Sequence, residues 1–370
     1  MRIIFAARAI DGMAGGVERM VTTVMNALVE RGHSVSLLTW DRAGADSFYP
    51  LAPKVVWQRL NLGDPSIKAG QLLRLRRAVA VRKWIRRYKP DIIVCFQDGP
   101  FMALRVYTAG MGIPLIAAER NAPTRFDHTR AAQRKNLTYN ALRFAKRILV
   151  QCESYKRLYP VFLQDRIVTI PNPVFQSKKR GRPGVPGGDG RFRILSVGRL
   201  TYQKNYPVLL KAFAAVAPAF PQWDLVIVGE GENRNYLEEL VDFEGISNRV
   251  SMPGTSTSIS DWYVSSHLFC QTSRWEGFPN ALAEAMAHEL PSIGFAGCAG
   301  VRDLIKSGEN GLLADGNGDF VSFARALERL MASAELREVM SSNAVRSIEK
   351  YTPEHIFSLW EGTLRKAAIA

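Results

Sequence analysis

The stretch PNPVFQSKKRGRPGVPGGDG, Pro171 to Gly190, decides how the chain is divided. It offers prolines, glycines and a basic run without hydrophobic period, the composition of a linker. Before it, RIIFAA (Arg2 to Ala7), VSLLTW (Val35 to Trp40), DIIVCF (Asp91 to Phe96), PLIAAE (Pro114 to Glu119) and RILVQC (Arg147 to Cys152) are short and apolar along most of their length. Helical stretches such as Val17 to Arg31 separate them. Strands of continuous apolarity are buried on both faces, which predicts a parallel sheet covered by helices. After the interruption the alternation restarts with FRILSVG (Phe192 to Gly198), DLVIVGEG (Asp224 to Gly231), RVSMPG (Arg249 to Gly254), HLFCQTS (His267 to Ser273) and PSIGF (Pro291 to Phe295). The chain therefore reads as α/β, with domains over 1–172 and 191–352, a linker over 173–190 and a helical tail over 353–370 that carries no sheet signal.

Length and composition agree with two domains, since 370 residues that are 47% hydrophobic exceed what one core sustains. No run approaches the roughly 18 to 20 apolar residues of a membrane span, the longest uncharged one being Val106 to Ala118. MRIIFAARAIDGM places Arg8 and Asp11 where a signal peptide is apolar, so a cytoplasmic protein is expected. Cys95, Cys152, Cys270 and Cys298 are far apart, with no CxxC pair or histidine cluster, which speaks against disulfides and structural zinc. Charge is uneven: residues 1–186 hold 32 Lys and Arg against 12 Asp and Glu, and residues 187–370 hold 17 against 22. The first half needs an anionic partner, and nucleic acid, an anionic membrane or a phosphorylated substrate all qualify.

Several stretches could carry chemistry. In ARAIDGMAGGVERM, Gly12, Gly15 and Gly16 lie between a strand and a helix, where backbone N–H groups can meet a phosphate or simply make a tight turn. GxGxxG is absent, although Asp41 stands about where a dinucleotide fold keeps its ribose-binding acid. In VGRLTYQKN, Arg199 and Lys204 follow a buried strand, a place from which two cations can grip a diphosphate. In SRWEGFPNALAEAMA, Pro279 suits the first position of a helix expected over Pro279 to His288, which leaves Glu276 in the loop and Glu284 in the second turn. With Phe278 as N-cap, no side chain would occupy the N–H groups of Asn280 and Ala281. Over eight residues a helix advances ~12 Å, so the two carboxylates do not share a proton; they suit hydroxyls at opposite ends of a long ligand. AERNAPTRFDH puts Glu119, Arg120, Asn121 and Asp127 at another strand end. The basic helix Gln71 to Lys89, with Leu72, Leu75, Val79 and Trp84, fits either a solvated face or an anionic membrane.

Together GGVER, SVGRLTYQKN, VGEGENRNYLEEL and SRWEGFPNALAEAMA resemble the retaining glycosyltransferases of family 4, the last being that family's E-x7-E motif. The resemblance implies the GT-B fold: two facing Rossmann-like domains, the donor held mainly by the second and the acceptor by the first, with the final helix crossing back to the first. By position, Arg199 and Lys204 would bind the donor diphosphate, approached by Gly15 and Gly16. Glu284 would accept from ribose hydroxyls, and Glu276 would contact the transferred sugar. The segment Gly277, Phe278, Asn280 and Ala281 would face sugar and phosphate, and the region from Met252 to Thr255 would line the base. Where the family often has a histidine, this chain reads ERNAP, with Arg120 in its place. That form occurs in relatives that extend lipid-linked oligosaccharides and surface polysaccharides, often from UDP-sugars. The expectation is thus a metal-independent enzyme without a cofactor, its nucleotide-sugar a co-substrate and its acceptor a glycan or polyprenyl-diphosphate-linked glycan. It would act at the inner face of the cytoplasmic membrane, on an anionic surface and without nucleic acid. Two rival readings are a nicotinamide-dependent oxidoreductase, suggested by the paired α/β halves and Asp41, and a nucleic-acid-binding protein, suggested by the basic half.

Overall fold

In a computed structural model describing residues 1–369, the Arg130 side chain aside, the alternation resolves into two wholly parallel sheets. Residues 1–172 and the segment from Glu354 onward form one unit, and residues 173–353 the other. Ala370, the last residue of the expected tail, lies outside the described residues.

The first sheet contains β1 (Arg2–Ala6), β2 (Ser34–Thr39), β3 (Val56–Arg59), β4 (Ile92–Phe96), β5 (Leu115–Ala118), β6 (Arg147–Val150) and β7 (Ile167–Thr169), in the order β3-β2-β1-β4-β5-β6-β7. The second contains β8 (Phe192–Val197), β9 (Trp223–Val228), β10 (Val250–Gly254), β11 (Leu268–Gln271), β12 (Ser292–Phe295) and β13 (Gly311–Ala314), in the order β10-β9-β8-β11-β12-β13. Strand order reverses between β1 and β4, and again between β8 and β11. At such a point the loops beyond the strand ends diverge to opposite faces and leave a crevice. The interior strands are the apolar runs read from sequence. β3, β7 and β13 escape that reading because they are edge or near-edge strands of three or four residues, and VWQR and IVT lack a continuous apolar run.

Residues 173–190, read above as a linker, are packed into the second unit. The Gly181 N–H donates to the His288 carbonyl at 2.8 Å, Arg337 Nε donates to the Pro183 carbonyl at 2.6 Å, and the His267 ring bonds the Val185 carbonyl at 2.9 Å. A segment without hydrophobic period still has backbone polar groups, and these find partners in the unit it lies on.

The last helix, Pro353–Ile369, belongs to the first unit. Its Trp360 is fully buried, stacked on Phe96 with ring centroids 6.0 Å apart and tilted against Phe5 at 6.4 Å. Beside it, Glu361 accepts from Arg31 at 3.1 Å, Arg365 at 2.7 Å and the His33 ring at 3.1 Å, and these partners draw its carboxyl down to about 2. Trp360→Ala should therefore cost the first unit about 3 to 5 kcal/mol, read as a lower urea midpoint, whereas Trp360→Phe should cost much less.

Candidate functional site

Two loops at the second reversal of strand order build the centre. β8 and β11 are neighbours, with Ile194 opposite Leu268, so the chain leaving β8 at Gly198 and that leaving β11 at Thr272 emerge side by side. Gly198 and Gly229 have φ of +156° and +152°, and a Cβ on Gly229 would stand 2.1 Å from the Gly198 carbonyl oxygen. Only glycine lets these turns cross so closely. The loops are then laced together. Thr272 Oγ1 donates to the Lys204 carbonyl at 2.9 Å, the Arg274 N–H donates to the Gln203 carbonyl at 2.8 Å, and Gln203 Nε2 donates to the Trp275 carbonyl at 2.8 Å.

On this frame Lys204 Nζ lies 2.6 Å from Glu276 Oε1, joining residues 72 positions apart. The same oxygen accepts from Gln271 Nε2 at 2.8 Å and Ser273 Oγ at 2.6 Å. Glu276 is 6% exposed, and a carboxylate so far from water is tolerable because a cation and two neutral donors surround it. Arg199 differs: it is exposed at the end of β8, and its guanidinium has no partner among the described residues. The site thus offers one anchored cation and one that a ligand can engage.

The helix after Glu276 corrects one expectation. It runs Asn280–Ala287, not from Pro279, and its N-cap is Pro279 rather than Phe278. Pro279 has φ −78° and ψ 77°, the geometry of an inverse γ-turn, and the Asn280 N–H closes that turn onto the Phe278 carbonyl at 2.8 Å. The Asn280 amide is therefore occupied. The first helical bond runs from the Ala283 N–H to the Pro279 carbonyl, which leaves the amides of Ala281 and Leu282 ahead of the ladder, with no side-chain cap. Glu284 stands in the second turn, half-buried, with the Tyr263 hydroxyl 3.1 Å from its Oε2 and 3.2 Å from the Ala281 carbonyl. Gly277 and Phe278 are buried beneath, the Phe278 ring edge-on to Tyr351 at 5.8 Å. Thr255, past β10, is exposed, and the nearby Met252 carbonyl accepts from Arg234 at 3.2 Å.

In the first unit Gly15 is the N-cap of the helix Gly16–Glu30, and the Glu18 carboxylate fills the space over it, 2.1 Å from where a Gly15 Cβ would stand. Asp41 is 1% exposed and accepts from the Ile10 N–H at 3.0 Å; it braces the loop after β1 and presents no carboxylate to a ribose. Arg120 is equally enclosed. Its Nη2 bonds Asn172, its guanidinium carbon lies 5.9 Å from the Trp360 ring, and burial pulls its pKa down to about 9. Asp127 pairs with Lys135 at 3.1 Å on the surface. Glu119 sits at the end of β5 with Arg125 Nη1 at 3.5 Å, and Arg125 Nη2 reaches Asp98 at 3.2 Å, tying the ends of β4 and β5 together.

Sequence reasoning missed Gln271, Ser273 and Tyr263, which hold the two glutamates. Ser273 had a signal, a hydroxyl three residues before Glu276 at a strand end. Tyr263 had none, being 21 positions from Glu284 on another helix.

Residues 178–347 match the family model described as glycosyl transferases group 1, and residues 14–176 match that described as Glycosyltransferase Family 4. The chain is 28% identical, over 97% of its own length and 97% of the relative's, to the GalNAc-α-(1→4)-GalNAc-α-(1→3)-diNAcBac-PP-undecaprenol α-1,4-N-acetyl-D-galactosaminyltransferase of Campylobacter jejuni. It is 27% identical, over 96% and 98%, to the amylovoran biosynthesis glycosyltransferase AmsD of Erwinia amylovora. Among solved structures, the HepE protein of Anabaena in complex with UDP-glucose superimposes with TM-score 0.77 at 17% identity, over 99% of this chain and all of that one.

The Glu119 carboxyl is pushed up to about 7, mainly by burial and further by Asp98, with Arg125 pulling against both. The unfolded chain releases this proton near 4.5, so folding takes one up between those values and stability falls as pH rises across that window. Glu119→Gln should remove this dependence, on the order of 2 kcal/mol between pH 5 and pH 8 in urea unfolding.

Proposed function

The chain belongs to the glycosyltransferases of GT-B fold, with a family 4 first half and a group 1 second half, and on that premise we propose that it transfers, with retention of configuration, a hexose or N-acetylhexosamine from a nucleotide-sugar to a lipid-linked or polysaccharide acceptor in envelope glycan assembly. The observation that carries this reading is the Lys204–Glu276 pair, 2.6 Å apart at the reversal of strand order and flanked by the open Arg199. Lys204, Arg199 and the Ala281 amide receive the diphosphate, which leaves as an anion, so that no metal is required. Glu284 accepts from the ribose hydroxyls, Glu276 contacts the transferred sugar and holds the Lys204 ammonium in place, and Thr255 lies at the base. The burial of Arg120 supports a positioning role beneath Trp360 rather than contact with the sugar. A uridine donor is put first because the superimposable HepE structure carries UDP-glucose, with a GDP-sugar as the alternative. The relatives from C. jejuni and E. amylovora support an acceptor of the polyprenyl-diphosphate or exopolysaccharide class, and hence work at the inner surface of the cytoplasmic membrane.

In the transfer step the acceptor hydroxyl oxygen bonds to the anomeric carbon on the face from which the diphosphate departs. The bond from that carbon to the phosphate oxygen breaks, its electron pair stays on the phosphate, and that phosphate takes the acceptor's proton. No protein base is needed, and the cations offset the charge as it develops.

Turnover of UDP-sugars and GDP-sugars by the purified protein in EDTA tests the reading, and activity that depends on an added divalent cation would contradict it. Glu284→Ala should weaken donor binding about tenfold or more, as measured by calorimetry, through loss of charge-assisted hydrogen bonds. Glu276→Ala should lower kcat about a hundredfold with donor affinity changed only a few-fold. Equal losses of turnover from both, with donor affinity intact in each, would overturn this division of roles.

A further inference from the structure

Each crossover between parallel strands is right-handed, so moving outward from β1 in the two directions puts the connecting segments on opposite faces of the sheet. In the first unit the helices Gln71–Tyr88, Asp98–Tyr107, Lys135–Leu142 and Val161–Gln164 follow β3, β4, β5 and β6 in turn, all moving one way, and so form one layer. Neighbours in that layer touch. Arg82 donates to the Tyr107 and Ala109 carbonyls at 3.1 and 2.9 Å, the Arg105 guanidinium lies 3.6 Å from the Phe144 ring centre, and that of Arg143 lies 4.2 Å from the Phe162 ring centre.

The outer surface of this layer is both apolar and cationic. On its first helix Leu72, Leu75 and Val79 are 64%, 62% and 59% exposed at a spacing that puts them on one stripe, which Lys83 and Arg86 continue. At the other end Phe144, Phe162 and Val161 are 60%, 48% and 81% exposed, the two rings each covered by an arginine. Between Pro65 and Pro90 there are nine Lys and Arg and no Asp or Glu, and residues 65–150 hold 18 basic against 4 acidic residues. Arg74, Arg76, Lys83, Arg86 and Arg87 form no ion pair among the described residues. No helix among the described residues is long and apolar enough to cross a membrane.

We infer that this four-helix layer docks on an anionic lipid surface through two apolar footings, Leu72/Leu75/Val79 and Phe144/Phe162/Val161, set in a field of unpaired cations. Charge complementarity selects the occupant. Aliphatic and aromatic side chains reach the depth of the acyl boundary while arginines remain among phosphates, a division that a bilayer interface supplies. A nucleic acid would match the charge but would leave the aliphatic stripe against polar backbone. The inference deepens the proposed function and rests on it only in taking the acceptor to be anchored in lipid.

The test is flotation of the whole chain with vesicles of equimolar phosphatidylcholine and phosphatidylglycerol, with vesicles of phosphatidylcholine alone as comparison. The protein should float with the first and not the second. Leu72→Ser/Leu75→Ser/Val79→Ser, Phe144→Ser/Phe162→Ser and Lys83→Glu/Arg86→Glu should each weaken partitioning about tenfold or more, with circular dichroism and the urea midpoint unchanged. Should a multiple variant unfold, Leu75→Cys carrying an environment-sensitive dye replaces it, since the native cysteines are buried, and a blue shift on the anionic vesicles alone is expected. Absence of flotation, undiminished flotation of the two serine variants combined, or tighter binding to duplex DNA than to the vesicles at equal salt would each overturn the inference. Hydrolysis of the sugar donor in vesicle-free solution, measured on the same samples, reports on the transferase reading separately.

Discussion

The contact between Lys204 and Glu276 ties together what the second unit's topology sets apart. Strand order reverses between β8 and β11, so the helices that follow them leave toward opposite faces, and the loops at the strand ends border an open crevice. The 2.6 Å ion pair, backed by Gln271 and Ser273 on the same carboxylate oxygen, holds the two loops to one geometry. Its burial makes it exacting: a buried pair contributes little when intact compared with what is lost when one partner goes.

Interior strands were legible in the sequence because burial on both faces demands continuous apolarity, and RIIFAA or FRILSVG cannot satisfy another environment. Three of the four edges were not, because a strand such as VWQR is half-exposed and its composition is free to vary. The places of Arg199, Lys204, Glu276 and Glu284 followed from their positions relative to strand ends and to Pro279, which are local properties. What failed was of two kinds. A backbone turn at Pro279 consumed the Asn280 amide, a detail of ψ that the residue identity leaves open. Burial of Arg120 and Asp41 depends on what packs over them, here Trp360 from the far end of the chain and the loop around Ile10. No window of sequence around either residue contains that information.

Asp41 shows how one geometric fact discriminates between readings that composition leaves equal. An acid at the end of the second strand is what a dinucleotide fold requires, but a ribose ligand must be reachable, and this carboxylate is spent on the Ile10 N–H in the interior. The second unit invests its glycines differently. Gly198 and Gly229 serve a crossing of two loops rather than a close approach to pyrophosphate in the first turn.

The charge asymmetry between halves acquires a physical meaning from how the cations are used. In the second unit, residues 173–353, 19 Lys and Arg stand against 20 Asp and Glu, and several of them are paired: Arg191 and Arg249 with Asp224, Arg234 with Glu230 and Glu238, Lys179 with Asp261, Arg180 with Glu289. Such pairs fix local structure and leave little long-range field. In the first unit the outer helices carry cations with almost no acids beside them, and like charges crowded on one helix destabilise it by a few tenths of a kcal/mol per pair. A surface that tolerates this repulsion, and exposes leucines and phenylalanines along with it, is not optimised for water on all sides.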